Sequence, residues 1–575
     1  MGVDSRDRHP GTLPPDDDAQ DRTHTHPGRG LHERHRLRPH LGVGPGVGPG
    51  APSILPGWDD GAMSTPSDSA DETQAIEDRG SNRSQRPNST AFRSFIAEGW
   101  GPLAADTPER LPSADTAQAA RDAVSAQFPG ERLVLPGGDL RVRSNDTDFP
   151  FRAHSAFAHL TGWGSATEPD SVLVLHPNGD SHDAVLYFRP RAGKDTEEFY
   201  SDARYGELWV GVRPSLEEVA AATGLATAHI ETLRDDLAKD AGQGQVQIRL
   251  VQGADQVVTQ LVDEVRTQAG LLEVGQEQVL TADSALTELL SEVRLVKDDW
   301  EVDEIRAAVA ATANGFADIV RSFPRATTHA RGERVVEGAF AARAREEGNG
   351  LGYDTIAASG NHANTLHWIK NDGAVRPGDL ILVDAGVEVD SLYTADITRT
   401  LPVDGVFTEP QRRVYQAVLD AADAAFARAA QVNPDGSRVR FRDIHAAAME
   451  VIAARLADWG MLPVGAAASL EPEGQYHRRW MVHGTSHHLG LDVHDCAAAR
   501  REMYLDAELV PGMVFTIEPG LYLRADDLKV PSELRGIGVR IEDDVLVTED
   551  GVENLSSGLP RTPDAIEEWM AGLRG

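Results

Sequence analysis

The chain has 575 residues, 40% of them hydrophobic, and 91 acidic against 55 basic side chains, a formal charge of −36. That length predicts two or three domains with ordinary cores, and so negative a balance excludes nucleic acid and anionic membrane surfaces, which require a basic footprint. The lone cysteine, Cys496, excludes an internal disulfide and reads as a free structural thiol in a reducing compartment. With no secretory signal pattern and no apolar run near the roughly 20 residues of a membrane span, the expectation is a cytoplasmic protein.

In chain order, residues 1–90 come first. Segment 1–62 mixes Arg, Asp, Pro, Gly and His around the repeat Gly42-Val-Gly-Pro-Gly-Val-Gly-Pro-Gly50, and 63–90 is rich in Ser, Asp, Asn and Gln. Neither offers periodic apolar positions to offset its ordering entropy, so both are expected to form a disordered tail. Six histidines before residue 41 (His9, His24, His26, His32, His35 and His40) read as part of that tail rather than as a metal tract. Met63, opening a plain polar leader, is an alternative start of translation.

Residues 91–283 have globular texture. An amphipathic segment starts at Phe92; Leu133–Leu135, Ser171–His176 and Asp183–Phe188 are predicted strands, the last two joined by a turn over Pro177–Asp180. Leu216–Thr223, Ala228–Leu237 and Asp255–Ala269 are predicted helices, and the alternation implies a layered α/β domain. A further helix is predicted from Leu295-Val-Lys-Asp-Asp-Trp-Glu-Val-Asp-Glu-Ile-Arg306 to about Val320, its early acidic residues favouring a helix N-terminus.

Five later residues stand in distinctive phrases: Asp384 in VDAG, Asp396 in TADITRT, His487 in HGTSHHLGLDVHD, Glu518 in TIEPGLYL and Glu542 in GVRIEDD. Asp379–Asp384, Met513–Glu518 and Gly538–Glu542 read as strands; in the last, alternation sends Arg540 and Glu542 to one face. His487 reads as a loop residue. Its spacing from His483 is that of a helical zinc motif, but Gly484 stands where that motif needs glutamate. Singly, each carboxylate could be a turn cap or a surface charge. Gathered into one pocket, four carboxylates and an imidazole could be buried only with a compensating cation. Two divalent ions would suffice, and an oxygen-rich set with one histidine favours Mn²⁺, with Co²⁺, Zn²⁺ or Fe²⁺ also suited.

These phrases, in this order, resemble the aminopeptidase P branch of the pita-bread metallopeptidases, from about Ser284 to Asn554 and more weakly from about Ala91. The most specific element is His483-Gly-Thr-Ser-His487-His-Leu-Gly-Leu-Asp-Val-His494-Asp495, and Asp148–Trp163 is similar to the family's N-terminal domain. The resemblance implies an α/β (α+β) chain: a creatinase-like N-terminal α/β domain over 91–283, followed by a pita-bread catalytic domain over 284–575. It implies a water or hydroxide between two metals held by Asp384, Asp396, His487, Glu518 and Glu542, with Glu518 also accepting the proton. His367 and His494 would stabilise the oxyanion or pass protons. His483, Tyr522 and Arg540 would border the pocket for the second residue, and Trp209 would lip the site, its own or that of a neighbouring subunit. The family often forms dimers or tetramers.

One departure concerns the two aspartates, which stand twelve apart here against a usual eleven in the family; the extra residue lies within Glu388–Thr394, and Asp390 is the alternative ligand. The implied activity is release of the first residue from peptides with proline second. Prolidase, which shares the site but takes only dipeptides, is the alternative. A non-catalytic peptide-binding module predicts lost ligands, whereas all five are present, as are His367 and His494.

Overall fold

The structure is a computed structural model that describes residues 87, 89–101, 108–241 and 246–574. The expectations placed on the tail, its histidines and Met63 lie outside the described residues.

The N-terminal part is built on a five-stranded sheet in the order Ala226–His229, Ser181–Phe188, Val172–Asn178, Arg132–Pro136, Ile248–Leu250. Its inner pairs are antiparallel and both edge pairs parallel. The predicted hairpin is present but tighter than expected. Asn178 pairs with Ser181, so the turn is only Gly179-Asp180, and Gly179 takes φ +63°, which a two-residue hairpin demands. Helices Leu216–Thr223 and Gln256–Gln268 stand where predicted, each started by a side-chain cap, Ser215 and Asp255.

The helix expected over Ala228–Leu237 needs correction. Ala226–His229 is an edge strand pairing with Val185–Phe188, so the helical stretch starts only at Ile230, as a 3₁₀ turn to Thr232 that continues into the α-helix Leu233–Ala238. A free sheet edge overrides the helix propensity of a short alanine-containing stretch. The next predicted helix starts later and runs further, from Asp299 to Ala326, because Asp298 and Glu301 form a reciprocal capping box while Val296 bridges to Met513. It packs on helix Gly332–Glu347, at a crossing so close that a Cβ on Gly315 would lie 2.5 Å from the Phe340 ring.

The C-terminal part holds two three-stranded antiparallel sheets. One is ordered Ile397–Pro402, Leu380–Ala385, Ile356–Ser359; the other Val514–Ile517, Asp543–Thr548, Gly551–Asn554, with the pair Gly520–Leu523 and Ile537–Arg540 beside it. Strands Leu380–Ala385 and Ile397–Pro402 are buried along their whole length, as the apolar run of the first requires, while the second buries Thr398, Arg399 and Thr400 with hydrogen-bond partners. Helices Glu409–Ala429 and Phe441–Asp458 pack on each other, the first also lying on the strands. Glu542 is not on the predicted strand: that strand ends at Arg540, and the Glu542 amide donates to Thr398 O at 3.1 Å instead.

Between the strands of Asp384 and Asp396 the chain turns back at Leu392, which takes φ +73°, within the stretch that holds the extra residue. Glu388 sits between the two aspartates. Its carboxylate receives Arg152 Nε from the N-terminal part at 2.6 Å, and Arg152 also donates to Leu491 O and to Ser155 Oγ, the latter at 3.2 Å. Ser155 Oγ in turn donates to Asp492 Oδ1 at 2.5 Å. One guanidinium therefore staples two catalytic-part loops to the first domain. Arg152→Ala is expected to destabilise the chain by about 1–3 kcal/mol, the cost of unpaired charge-assisted bonds, measured by urea unfolding. Arg152→Lys should recover only part of this, since an ammonium cannot reach both loops in the guanidinium's fork.

Candidate metal centre

The two sheets converge on a cavity of about 290 Å³ lined by Asp384, Asp396, His487, Glu518 and Glu542, together with His367, His483, His494 and Arg540. The buried strand ends deliver the ligands: Asp384 near the end of Leu380–Ala385, Asp396 just before Ile397–Pro402, and Glu518 just after Val514–Ile517. His487 lies on a loop, fixed by its amide to Thr516 Oγ1 at 3.2 Å and by its carbonyl, which accepts from Thr516 N at 2.9 Å. Its Nε2 stands 3.4 Å from Asp396, 3.8 Å from Glu518 and 3.9 Å from Glu542. Donor atoms of Asp396, His487 and Glu542 all fall within 4.8 Å of one another, the only such grouping among the described residues.

The surroundings aim these groups. Tyr353 Oη lies 2.7 Å from Asp384 and 2.5 Å from Asp396, its single proton shared between the two carboxylates. Thr398 Oγ1 donates to Glu542 at 2.7 Å, and Arg540 pairs with Asp384. The Asp396 amide donates to buried Asp544 at 3.1 Å. Fully buried Arg399 reaches Glu542 O at 2.7 Å, Asp543 at 2.7 Å and Pro560 O at 2.9 Å, fastening Glu542 from behind.

Charge is in excess. Burial first, then the neighbouring carboxylates, push Glu542 well above the ordinary range and raise Asp396; Glu518 is pushed up to about 7, chiefly by burial. Burial opposes protonation of His487, but its hydrogen bond to Asp396 and the charge of Glu518 outweigh it and lift the imidazole to about 9. Burial and the Arg540 charge hold His483 down to about 3. Oxygen-rich donors that cannot all ionise together are the chemistry of a site that fits divalent cations.

The remaining expected residues fall as follows. Asp390 is exposed, bonded to Ser165, and lines no part of the cavity; Asp396 does. Tyr522 lies behind the wall, its hydroxyl 2.7 Å from His483 Nε2 and 3.1 Å from Arg540. Trp209 is half-exposed on the short helix Glu207–Val210, its indole donating to Tyr200 O at 2.8 Å, and does not line the cavity of its own chain. His367 stands on an exposed loop fastened from beneath: buried Glu333 accepts from Ser359 N, His362 Nδ1, Trp368 Nε1 and Gly373 N at 2.7–2.9 Å. Tyr353, Arg399 and Glu333 had escaped the reading of the sequence. Only Arg399 carried a local signal, as part of the Asp-Ile-Thr-Arg-Thr phrase that placed Asp396.

Comparison with known proteins agrees with this geometry. Residues 303–549 match the metallopeptidase family M24 and residues 117–248 the aminopeptidase P N-terminal domain. The chain is 48% identical over 481 residues to Xaa-Pro aminopeptidase 1 of Streptomyces coelicolor, covering 84% of this chain and 92% of that protein. It is similar to Escherichia coli aminopeptidase P in complex with substrate, at 30% identity and TM-score 0.69 over 81% of this chain and 100% of that one. A zinc-substituted form of that enzyme with product matches at 29% identity and TM-score 0.68, with the same coverage. The fold and site thus define a metal-dependent hydrolase. The chain belongs to the Xaa-Pro aminopeptidase branch of metallopeptidase family M24 and is a metal-dependent exopeptidase.

Cation binding must displace protons. Glu518, raised from 4.5 to about 7, favours the metal-free fold below pH 4.5, and that contribution is lost as pH rises through 7. Metal-free protein should therefore lose thermal stability between about pH 5 and pH 7.5 and regain it with metal. Calorimetric metal titration at pH 7 in two buffers of different ionisation enthalpy should show net proton release; buffer-independent heats would contradict this charge assignment.

Proposed function

We propose that the chain removes the first residue from peptides with proline second, using two divalent ions held by Asp384, Asp396, His487, Glu518 and Glu542. The observation that carries this reading is the convergence of all five donors with His367, His483 and His494 on one cavity, in a member of this family. When bound, the ions, Mn²⁺ in preference to Co²⁺, Zn²⁺ or Fe²⁺, would lower the pKa of a shared water and polarise the scissile carbonyl.

The protein's own groups do the rest. Glu518, lining the cavity beside His483 and His487, is placed to take the proton of the attacking water and pass it to the leaving prolyl nitrogen. His367 and His494 face the place where negative charge develops and donate to it. His483, neutral at working pH, and Arg540, fixed by Tyr522 and Asp384, border the prolyl ring. Because the Xaa-Pro bond is a tertiary amide with no N–H, recognition must come from the shape of this pocket. The acidic site attracts a free N-terminal ammonium, which favours exopeptidase action.

We assign the tail to 1–90, the N-terminal domain to 91–283 and the catalytic domain to 284–575, in a cytoplasmic homo-oligomer, dimer or tetramer. Trp209, in an exposed strip with Leu208, Val210 and Val212, is suited to lip a neighbouring subunit's site.

Arg-Pro-Pro should lose its arginine, EDTA should abolish this and Mn²⁺ restore it; cleavage of Ala-Pro alone would make the chain a prolidase, and cleavage of neither would leave only a binding role. Glu518→Gln and His494→Ala should each lower kcat by about 10²–10⁴-fold, read by release of the N-terminal residue, with the fold retained by circular dichroism.

A further inference from the structure

The metal cavity opens into a second recess of about 230 Å³, and the two share Asp384, Asp396, His367 and His494. The recess adds Tyr353, Asp354, Ile356, Ile369 and Val493, so its walls are aliphatic and its free charge a carboxylate. Tyr353 is already committed to Asp384 and Asp396. Asp354 is exposed and forms no ion pair among the described residues. Ile369 is 49% exposed, a large apolar side chain with little over it.

The recess is preformed. On one side of Ile369, Trp368 is held by Glu333 at 2.9 Å; on the other, buried Asn371 takes φ +45° and binds Ala357 N at 3.0 Å and Thr355 O at 2.8 Å. These anchors hold the loop backbone on both sides of Ile369. An apolar surface on this fixed loop and the unpaired Asp354 carboxylate from a separate segment line one recess, which fits a ligand that is apolar along its length and cationic at its end.

This inference rests on the reading above, which puts the prolyl ring at the His483 and Arg540 end of the cavity. The residue before the scissile bond then lies across Asp384 and Asp396, and its side chain enters the recess. We propose that this recess selects arginine or lysine as the departing residue, with the aliphatic stem on Ile369 and Val493 and the cationic head on Asp354.

The chain's −36 charge attracts any cationic peptide, so the local effect must be separated from the general field. Initial rates of the metal-loaded full chain are compared on Arg-Pro-Pro, Lys-Pro-Pro, norleucyl-Pro-Pro and Glu-Pro-Pro. Norleucine keeps the stem and removes the charge. The two basic peptides should exceed norleucyl-Pro-Pro in kcat/KM by about five-fold, with Glu-Pro-Pro lowest. Asp354→Asn should collapse the basic-to-norleucine ratio toward one, and Ile369→Ser should lower the arginine and norleucine peptides together relative to Ala-Pro-Pro. Equal rates in the parent chain, or a basic preference that survives in Asp354→Asn, would overturn the assignment. Cleavage of none of the peptides would remove the parent reading and this one with it.

Discussion

Four carboxylates share one small cavity, and most of what surrounds them follows from that. Two like charges about 4 Å apart repel by about 4 kcal/mol at an effective dielectric near 20, and here Asp396 and Glu542 offer oxygens within 4.8 Å of each other, with Asp384 and Glu518 lining the same cavity. Each hydrogen bond to a charged group returns about 1.5–3 kcal/mol. Tyr353, Thr398 and Arg540 supply three protons for such bonds to Asp384, Asp396 and Glu542, enough to aim the groups but not to neutralise them. The remainder shows in the upward displacement of Glu518 and Glu542. A cation completes the site.

Holding mutually repelling groups in place requires stiff supports, and the architecture provides them. Asp384 and Asp396 flank neighbouring strands in one antiparallel register, where a one-residue slip would turn a ligand away from the cavity. Glu518 and Glu542 extend from the other strands, and the Glu542 amide crosses to Thr398 on the strand that follows Asp396. Arg152 adds a clamp from outside the catalytic part. It grips Glu388, between the two aspartates, and Leu491, between His487 and His494. The first domain is thus bonded to both loops that separate pairs of site residues.

The ligands were legible because each sits in a short phrase whose local pattern already specifies a strand end or a glycine-broken loop. The buried strands around Leu380–Ala385 were legible for the same reason: a continuous apolar run has few other fates. What escaped was set by distance. Tyr353, on a loop, and Glu333, in the first turn of helix Gly332–Glu347, matter because tertiary packing brings them against groups distant in sequence, and nothing adjacent to either residue signals it. Ala228 was misassigned because an unfilled sheet edge, formed by Val185–Phe188, decides its conformation rather than its neighbours. Leu295–Asp298 was assigned to a helix because the acidic pattern marks an N-terminus without fixing its first residue; the capping box at Asp298 does that.

Buried carboxylates in this protein fall into two kinds, and the difference separates support from chemistry. Glu333 accepts four hydrogen bonds, all from residues 359–373, so its charge is spent on fixing the loop of His367. Burial would raise Asp495, but Arg294 and Lys297 hold it down to about 2, which fastens the residue next to His494. Both are satisfied and fixed. Glu518 opens onto the cavity, its neighbours are other carboxylates, two imidazoles and Arg540, and burial raises its carboxyl to about 7. A folded chain would not retain such a group for stability, since an apolar side chain of similar volume would cost less. It is retained where an ion and a transferable proton are needed, and it lies at the centre of the cavity rather than behind it.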